Sequence, residues 1–290
     1  MKKLPELYWI ISAVITIAGI SVMTAGAAQM NKESAQKITV SDLCTAEELQ
    51  SVMINIDTAD VILQPSADNT VVLEFSDEKR LEYSFKDGVL TVQNKKGIFL
   101  SGIHFISFGA VPQKNQIVLS LPEKQYDEFV LSCGTGDMSL SGVNAGMLTA
   151  STGTGDITSE SCIFSEIDLD SGTGDIDLNQ TEISSVSDID IGTGDFTAES
   201  CTFSGITIDD GTGEIKMQNS ALTGNADINS GTGDVSLTLS GNIQDYQIDC
   251  SECIGDVNIQ NNSLKSMGSV SAQYQMKIDT VGSVDILFTE

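Results

Sequence analysis

The sequence predicts an all-β chain: a parallel β-helix, or solenoid, built of rungs of about twenty residues, with an N-terminal antiparallel β cap and one preceding transmembrane helix. Three observations carry that expectation. The tetrapeptide Gly-Thr-Gly-Asp recurs at Gly134–Asp137, Gly153–Asp156, Gly172–Asp175, Gly192–Asp195 and Gly231–Asp234, with a Glu-ending copy at Gly211–Glu214 and a degenerate one at Cys253–Asp256. Apolar residues stand at fixed offsets from each acidic residue. A charge-free apolar run lies near the N-terminus. A unit repeated at a fixed period cannot bury its apolar side alone and does so by stacking on its copies.

Residues 1–7 carry Lys2 and Lys3 and precede the apolar run at residues 8–28, YWIISAVITIAGISVMTAGAA. About twenty such residues span a bilayer core, and flanking lysines stay on the cytoplasmic side. Tyr8 and Trp9 fit an interfacial anchor, and the run exceeds the usual apolar core of a signal peptide. An uncleaved single-pass anchor in a bacterial cell membrane, with the C-terminal domain outside, is therefore favoured. The alternative is a secreted chain cleaved after Ala27, because Ala25-Gly26-Ala27 has the small-residue pattern of a cleavage site. Residues 29–36 form a polar tether.

Residues 37–125 lack the repeat but carry strand patterns at 52–56, 71–75, 81–85, 89–92 and 116–121. Asp57-Thr58-Ala59-Asp60 is a weak echo of the later corner. This region is expected to be antiparallel and to cap the first rung, since an open terminal rung exposes unpaired backbone.

Residues 126–260 hold the repeat. One residue after each acidic position stand Met138, Ile157, Ile176, Phe196, Ile215, Val235 and Val257; three after it, Leu140, Ser159, Leu178, Ala198, Met217, Leu237 and Ile259. Six before it stand Leu131, Ala150, Leu169, Ile189, Ile208, Ile228 and Cys250, and eight after it Phe164, Ile183, Phe203 and Leu222. Alternation with polar residues marks strands buried on one face, and three inward segments per unit suggest a three-sided coil. Ile176 and Ile215 should point inward, Asp177 and Lys216 outward. With rungs ~4.8 Å apart, the copies would span roughly 30 Å. Propeller blades need a unit of about twice this length and hairpin turns. In residues 261–290 the period lapses, and strands at 270–274, 276–278 and 284–288 are expected to close the other end as a C-terminal cap.

Leu121-Pro122, then Phe129-Val130-Leu131-Ser132-Cys133-Gly134-Thr135-Gly136-Asp137 and the repeated S-G-T-G-D-[IV], resemble the DUF4097 putative-adhesin family of bacterial β-helix proteins over roughly residues 37–285. The resemblance implies the fold and an exported or membrane-anchored setting. It implies no catalytic residues.

The net charge is −27, and no Lys, Arg or His lies between Lys124 and Lys216. Phosphate backbones need cations, so nucleic acid is excluded as a partner; an unknown protein or cell-surface ligand, preferably cationic, is compatible. The acidic corner residues Asp156, Asp175, Asp195, Glu214 and Asp234, with Asp137 and Asp256, should stack in one ladder, and Asp170, Asp190, Asp209 and Asp210 form a second set before the corner. Stacked carboxylates suit a hard cation such as Ca²⁺, at most weakly bound here. Against that, each Asp could accept N–H bonds from its own glycine turn. No other cofactor is expected. The Gly-x-Gly is not a dinucleotide signature, because Ser139 and Lys216 stand at the third glycine position.

Cys162 and Cys201 share a column with Thr181 between them, ~9.6 Å apart and beyond disulfide reach. Cys250 and Cys253 form a C-x-x-C without the second pair that zinc requires. Cys162, Cys201 and Cys250 are expected as small core residues. His104 is the single histidine, lies in an apolar stretch, and has no partner to orient it for catalysis. These readings point to a non-enzymatic, extracytoplasmic, membrane-tethered adhesin-like or envelope interaction module with an acidic repetitive face. The alternatives are an envelope-stress or signalling accessory protein and, less well supported, a carbohydrate-active β-helix enzyme, whose carboxylates would need one rung to depart from the pattern.

Overall fold

The computed structural model describes residues 38–41, 43–76, 81–95, 115–269 and 271–289. The predicted span at 8–28 and His104 fall outside these residues. Among the described residues no helix is long and apolar enough to cross a membrane, and one 3₁₀ turn, Ile243–Asp245, interrupts the strands.

The repeat folds into stacked parallel rungs. Ahead of the corner, Gln125–Thr135, Asn144–Thr154, Ile163–Thr173, Ser187–Thr193, Ile206–Thr212 and Ala226–Thr232 pair in parallel, each with the next. After it, Met138–Ser141, Ile157–Glu160, Ile176–Asn179, Phe196–Glu199, Ile215–Leu222 and Val235–Ser240 do the same. A third, shorter column runs through Glu182–Ile183 and Thr202–Phe203. The register aligns Leu131, Ala150, Leu169, Ile189, Ile208 and Ile228, and, on the second side, Ile157, Ile176, Phe196, Ile215 and Val235. All of these are buried. The register is strongly held because a slip of one residue would turn every one of them to solvent.

Both ends differ from expectation. The N-terminal region is not simply an antiparallel cap. Ser51–Thr58 lies parallel between Gln125–Thr135 and Val89–Asn94, and Asp60–Pro65 lies parallel between Met138–Ser141 and Gln116–Leu121. Two further rungs stand here, and the echo at Asp57–Asp60 is a true corner with Thr58 opposite Thr135. Antiparallel pairing is confined to the outer strands Leu81–Lys86, Val72–Phe75 and Ile38–Val40. Alternation with period two reports which face is buried but not strand direction, so pattern alone could not separate a rung from a hairpin.

At the other end, Tyr274–Thr280 lies between Ala226–Thr232 and Tyr246–Asp249, and Val284–Thr289 between Val235–Ser240 and Val257–Ile259. The degenerate copy Cys253–Asp256 is therefore not the neighbour of Gly231–Asp234. The corner Thr280-Val281-Gly282-Ser283 separates them: a Cβ on Gly282 would meet the Gly233 carbonyl at 2.0 Å, and one on Gly255 the Gly282 carbonyl at 2.2 Å. The presumed closing strands are a rung, and the short antiparallel strands Asn262–Ser263 and Ser266–Met267 edge the outermost one.

Candidate functional site: the corner ladder, the acidic face and a corner groove

The glycines of the corner are dictated by contact between rungs. Gly155 and Gly174 have φ of 142° and 140°, and a Cβ on Gly174 would stand 2.2 Å from the Gly155 carbonyl oxygen. Only glycine meets both demands. Around this tight bend the N–H groups of Gly174 and Ile176 reach forward to the carbonyls of Thr193 and Asp195. The N–H of Asp175 points back, and the Asp156 carboxylate accepts it at 2.9 Å. The same link joins Asp156 N–H to Asp137 (3.3 Å), Asp195 to Asp175 (2.8 Å), Glu214 to Asp195 (2.8 Å) and Ser283 to Asp234 (2.7 Å). Each carboxylate thus caps the following rung rather than its own glycine turn, which corrects the local reading. Among the described residues no such bond runs from Asp234 to Glu214, the one corner residue with a longer side chain.

Asp156, Asp175, Asp195, Glu214 and Asp234 are all exposed. Among the described residues no three His, Cys, Asp or Glu side chains gather as a metal-holding group. The ladder is a hydrogen-bonded spine with its remaining oxygens in water.

The second acidic set lies on the outer face ahead of the corner. Asp170, Asp190 and Asp209 stand in register, continued by Asn229 and Asp279, and beside them run Asp168, Asp188, Thr207, Asp227 and Lys277. Partial burial, then the neighbouring Asp170 and Asp209, raise the carboxyl of Asp190 above its usual range. Burial, then Asp175 and Asp156, do the same to Asp177 on the adjoining face. Asp210 does not belong to this set. Alternation turns it inward, where it is 4% exposed between Ile191 and Ser230. Burial pushes its pKa up to about 6, against an opposing hydrogen bond from the Thr212 N–H.

All six cysteines are free thiols. Cys162, Thr181, Cys201 and Ser220 form one buried column, and their S–H or O–H groups donate to the carbonyls of Glu160, Asn179, Glu199 and Gln218. Those carbonyls lie beside residues with φ near +50°, Ser161, Gln180, Ser200 and Asn219. The column therefore selects small side chains that can donate inward, a sharper reason than size alone. Cys250 is buried as expected, its thiol pushed up to about 12 by burial and by Cys253.

Sequence reasoning missed a groove of about 690 Å³ at the third corner of the later rungs, lined among others by Val186, Gly205, Gly224, Asn225, Tyr274 and Gln275. The first-side strands are continuous over eleven residues in three rungs, as in Ile163–Thr173. They break later at Ser184-Ser185-Val186, Ser204-Gly205 and Thr223-Gly224-Asn225. This Ser/Gly punctuation was the available signal.

The architecture is that of an all-β, solenoid-like protein. The chain belongs to the Toastrack DUF4097 family, which it matches over residues 49–286. It is similar in structure to a putative adhesin from Bacteroides fragilis NCTC 9343, with 14% identity, a TM-score of 0.54, and 88% of this chain and 98% of the other covered. A putative adhesin from Parabacteroides distasonis ATCC 8503 gives 17% identity, a TM-score of 0.48, and coverage of 87% and 96%. No curated protein matches the chain.

Proposed function

We propose that this chain is a non-enzymatic interaction module, tethered to a bacterial membrane through residues 8–28 and displayed outside the cytoplasm, whose acidic face engages a cationic partner. The adhesin names carried by structurally similar proteins support the adhesin-like part. The acidic face is supported by one observation above all: Asp168, Asp170, Asp188, Asp190 and Asp209 lie on adjacent parallel strands, and none of them is ion-paired among the described residues. A rigid sheet face with unneutralised charge attracts opposite charge over long range. The exposed carboxylates are spread over many rungs, and the one that departs most, Asp210, is turned into the core rather than toward a groove, which favours binding over hydrolysis.

Two measurements test this reading. The protein should stay with membranes through high-salt and carbonate washing, with its C-terminal domain open to protease on wall-stripped cells; release as a soluble species starting near Ala28 would replace the anchor with a signal peptide. An oligolysine probe should bind the full-length chain with strong salt dependence, and the double variant Asp170→Asn/Asp190→Asn should weaken it. Salt-independent binding would remove the acidic face from the proposal.

A further inference from the structure

We infer that the third-corner groove is a binding site for an amino-sugar oligosaccharide; the inference rests on the reading of the chain as an interaction module and names a ligand class for one part of it. The groove exists because two rungs lack side chains there. Gly205 and Gly224 form its floor, and the Gly224 backbone sits so close to the Ser204 carbonyl that a Cβ would meet it at 1.9 Å. Val186, 59% exposed, stands on one side, and Tyr274 and Gln275 on the other. The depression thus crosses four stacked strands, an axial length of ~14 Å, which suits an extended chain ligand rather than a compact metabolite.

Its lining has the chemistry that sugars require. The Tyr274 ring is backed by Tyr246, with centroids 5.4 Å apart, so it offers a fixed apolar surface for the C–H face of a pyranose. The Tyr274 hydroxyl accepts from Gln273 Nε2 at 2.8 Å and keeps its own proton to donate. Asn225 Oδ1 accepts the Gln275 N–H at 2.9 Å, which fixes the amide and leaves Nδ2 as a donor. Thr207, Gln273 and Gln275 supply further amide and hydroxyl groups. A concave site with an apolar platform and several oriented polar groups is the form that small-ligand sites take.

Charge selects among sugars. At Thr207, Asp227 and Lys277 the groove runs into a second hollow of about 200 Å³ that adds Asp209, Asn229 and Asp279. Three carboxylates face one ammonium there. Asn229 Nδ2 donates to Asp209 Oδ1 at 3.1 Å, which orients that carboxylate. A free amino group on the sugar finds acceptors and a net negative field at this end, whereas uronic acids and sulfated glycans are repelled by it and by the overall charge of −27.

The test is calorimetric titration of the full-length chain in detergent with a glucosamine tetrasaccharide, its fully N-acetylated counterpart and an oligogalacturonate. Saturable binding in that order of affinity is expected, with none for the last. Gly205→Leu fills the groove without a backbone clash, since a Cβ there meets nothing closer than Val186 Cγ2 at 3.4 Å. It should weaken glucosamine binding by at least tenfold, a loss of about 1.4 kcal/mol, while the melting temperature and oligolysine binding are retained. Asp227→Asn should narrow the gap between the free-amine and acetylated ligands. Binding that survives Gly205→Leu, or that is lost instead in Asp170→Asn/Asp190→Asn, would assign the interaction to diffuse charge and overturn the site. If the tetrasaccharide fails to bind while oligolysine still does, the groove falls and the interaction module stands. Cleavage of the tetrasaccharide, read by mass spectrometry, would overturn the non-enzymatic reading itself.

Discussion

The central rungs and the end rungs solve the same stacking problem by different means. Between Gly134 and Asp234 the chain climbs one rung per repeat, and each corner fits its predecessor through glycine and, up to Glu214, through the aspartate spine. At both ends it skips a level. Moving outward from the N-terminal side of the repeat, the strands Val89–Asn94 and Gln116–Leu121 stand farther out, and the rung at 51–65 fills the space between. Past Ser240 it builds the outer rung at 246–259, then returns with 274–289 to fill the gap. In both cases the segment nearer the chain terminus is held between two neighbours instead of fraying on an open edge. Repetition sets the middle of a solenoid, and interleaving secures its ends.

The sharpest contrast is between glycines. Gly174→Ala would force a Cβ to within 2.2 Å of the Gly155 carbonyl at a φ of 140° and should cost about 3–5 kcal/mol. Gly241→Ala, at the exit of the last regular rung, has φ 129° but nothing within 4 Å of its Cβ, so backbone strain of about 1–3 kcal/mol is all that remains. Ile176→Asp should match the larger loss by burying an unpaired charge, while Asp177→Ser on the same strand should be near neutral. Chemical denaturation of the four variants measures this; equal losses for the two glycine variants would mean that rung contact does not set the corner.

Interleaving is read by hydrogen exchange. Amides of Tyr274–Thr280 should exchange as slowly as those of Ala226–Thr232, and more slowly than those of Tyr246–Asp249, although the last are farther from the chain terminus. Protection that simply falls off toward the C-terminus would contradict the inserted rung.

Asp210 is the one carboxylate in an inward column that otherwise holds Cys133, Thr152, Ser171, Ile191, Ser230 and Thr280. Its folded pKa, near 6, exceeds the usual carboxylate value that it has when unfolded. The folded state therefore holds the extra proton between pH 4 and 6, and stability contributed by the protonated form is lost as pH rises through that window. Asp210→Asn keeps the acceptor for Thr212 and removes the charge. It should stabilise the protein by about 2 kcal/mol at pH 8, and the gain should vanish near pH 4. A pH-independent difference would place the titration elsewhere.

How much of this was legible follows from what periodicity encodes. The inward residues at each offset, including Ile176, Phe196 and Phe203, could be read because burial alternates with the backbone. So could the shared column of Cys162, Thr181 and Cys201. The order of rungs at the ends could not, because Val281 and Gly282 carry no Gly-Thr-Gly to announce a corner and the inserted strands pair across chain separations near fifty residues, as Ser283 does with Asp234. Charge alone puts Asp210 on the surface beside Asp209, but alternation with the outward Asp209 turns it in. The groove arises where strands stop, and only the Ser/Gly breaks at Ser184-Ser185, Ser204-Gly205 and Gly224 mark it, without indicating that the gaps line up into one depression.

The smallest expected effect concerns the spine. Asp175 both donates its N–H to Asp156 and accepts from Asp195. Asp175→Asn preserves an acceptor oxygen and removes one charge from a stacked row, so the loss of a charge-assisted bond and the relief of repulsion oppose each other, leaving a net change within about 1 kcal/mol. Asp175→Ala removes the acceptor as well and should cost about 1–2 kcal/mol, because the Asp195 N–H then depends on water. Monovalent salt should raise the wild-type melting temperature by screening the row, and should do so less in Asp175→Asn. Calcium at matched ionic strength should add little, since every bonded Asp of the spine already spends one oxygen on an N–H and the rest face water. A saturable micromolar calcium transition, absent in Asp175→Asn, would turn the spine from a structural device into a metal site.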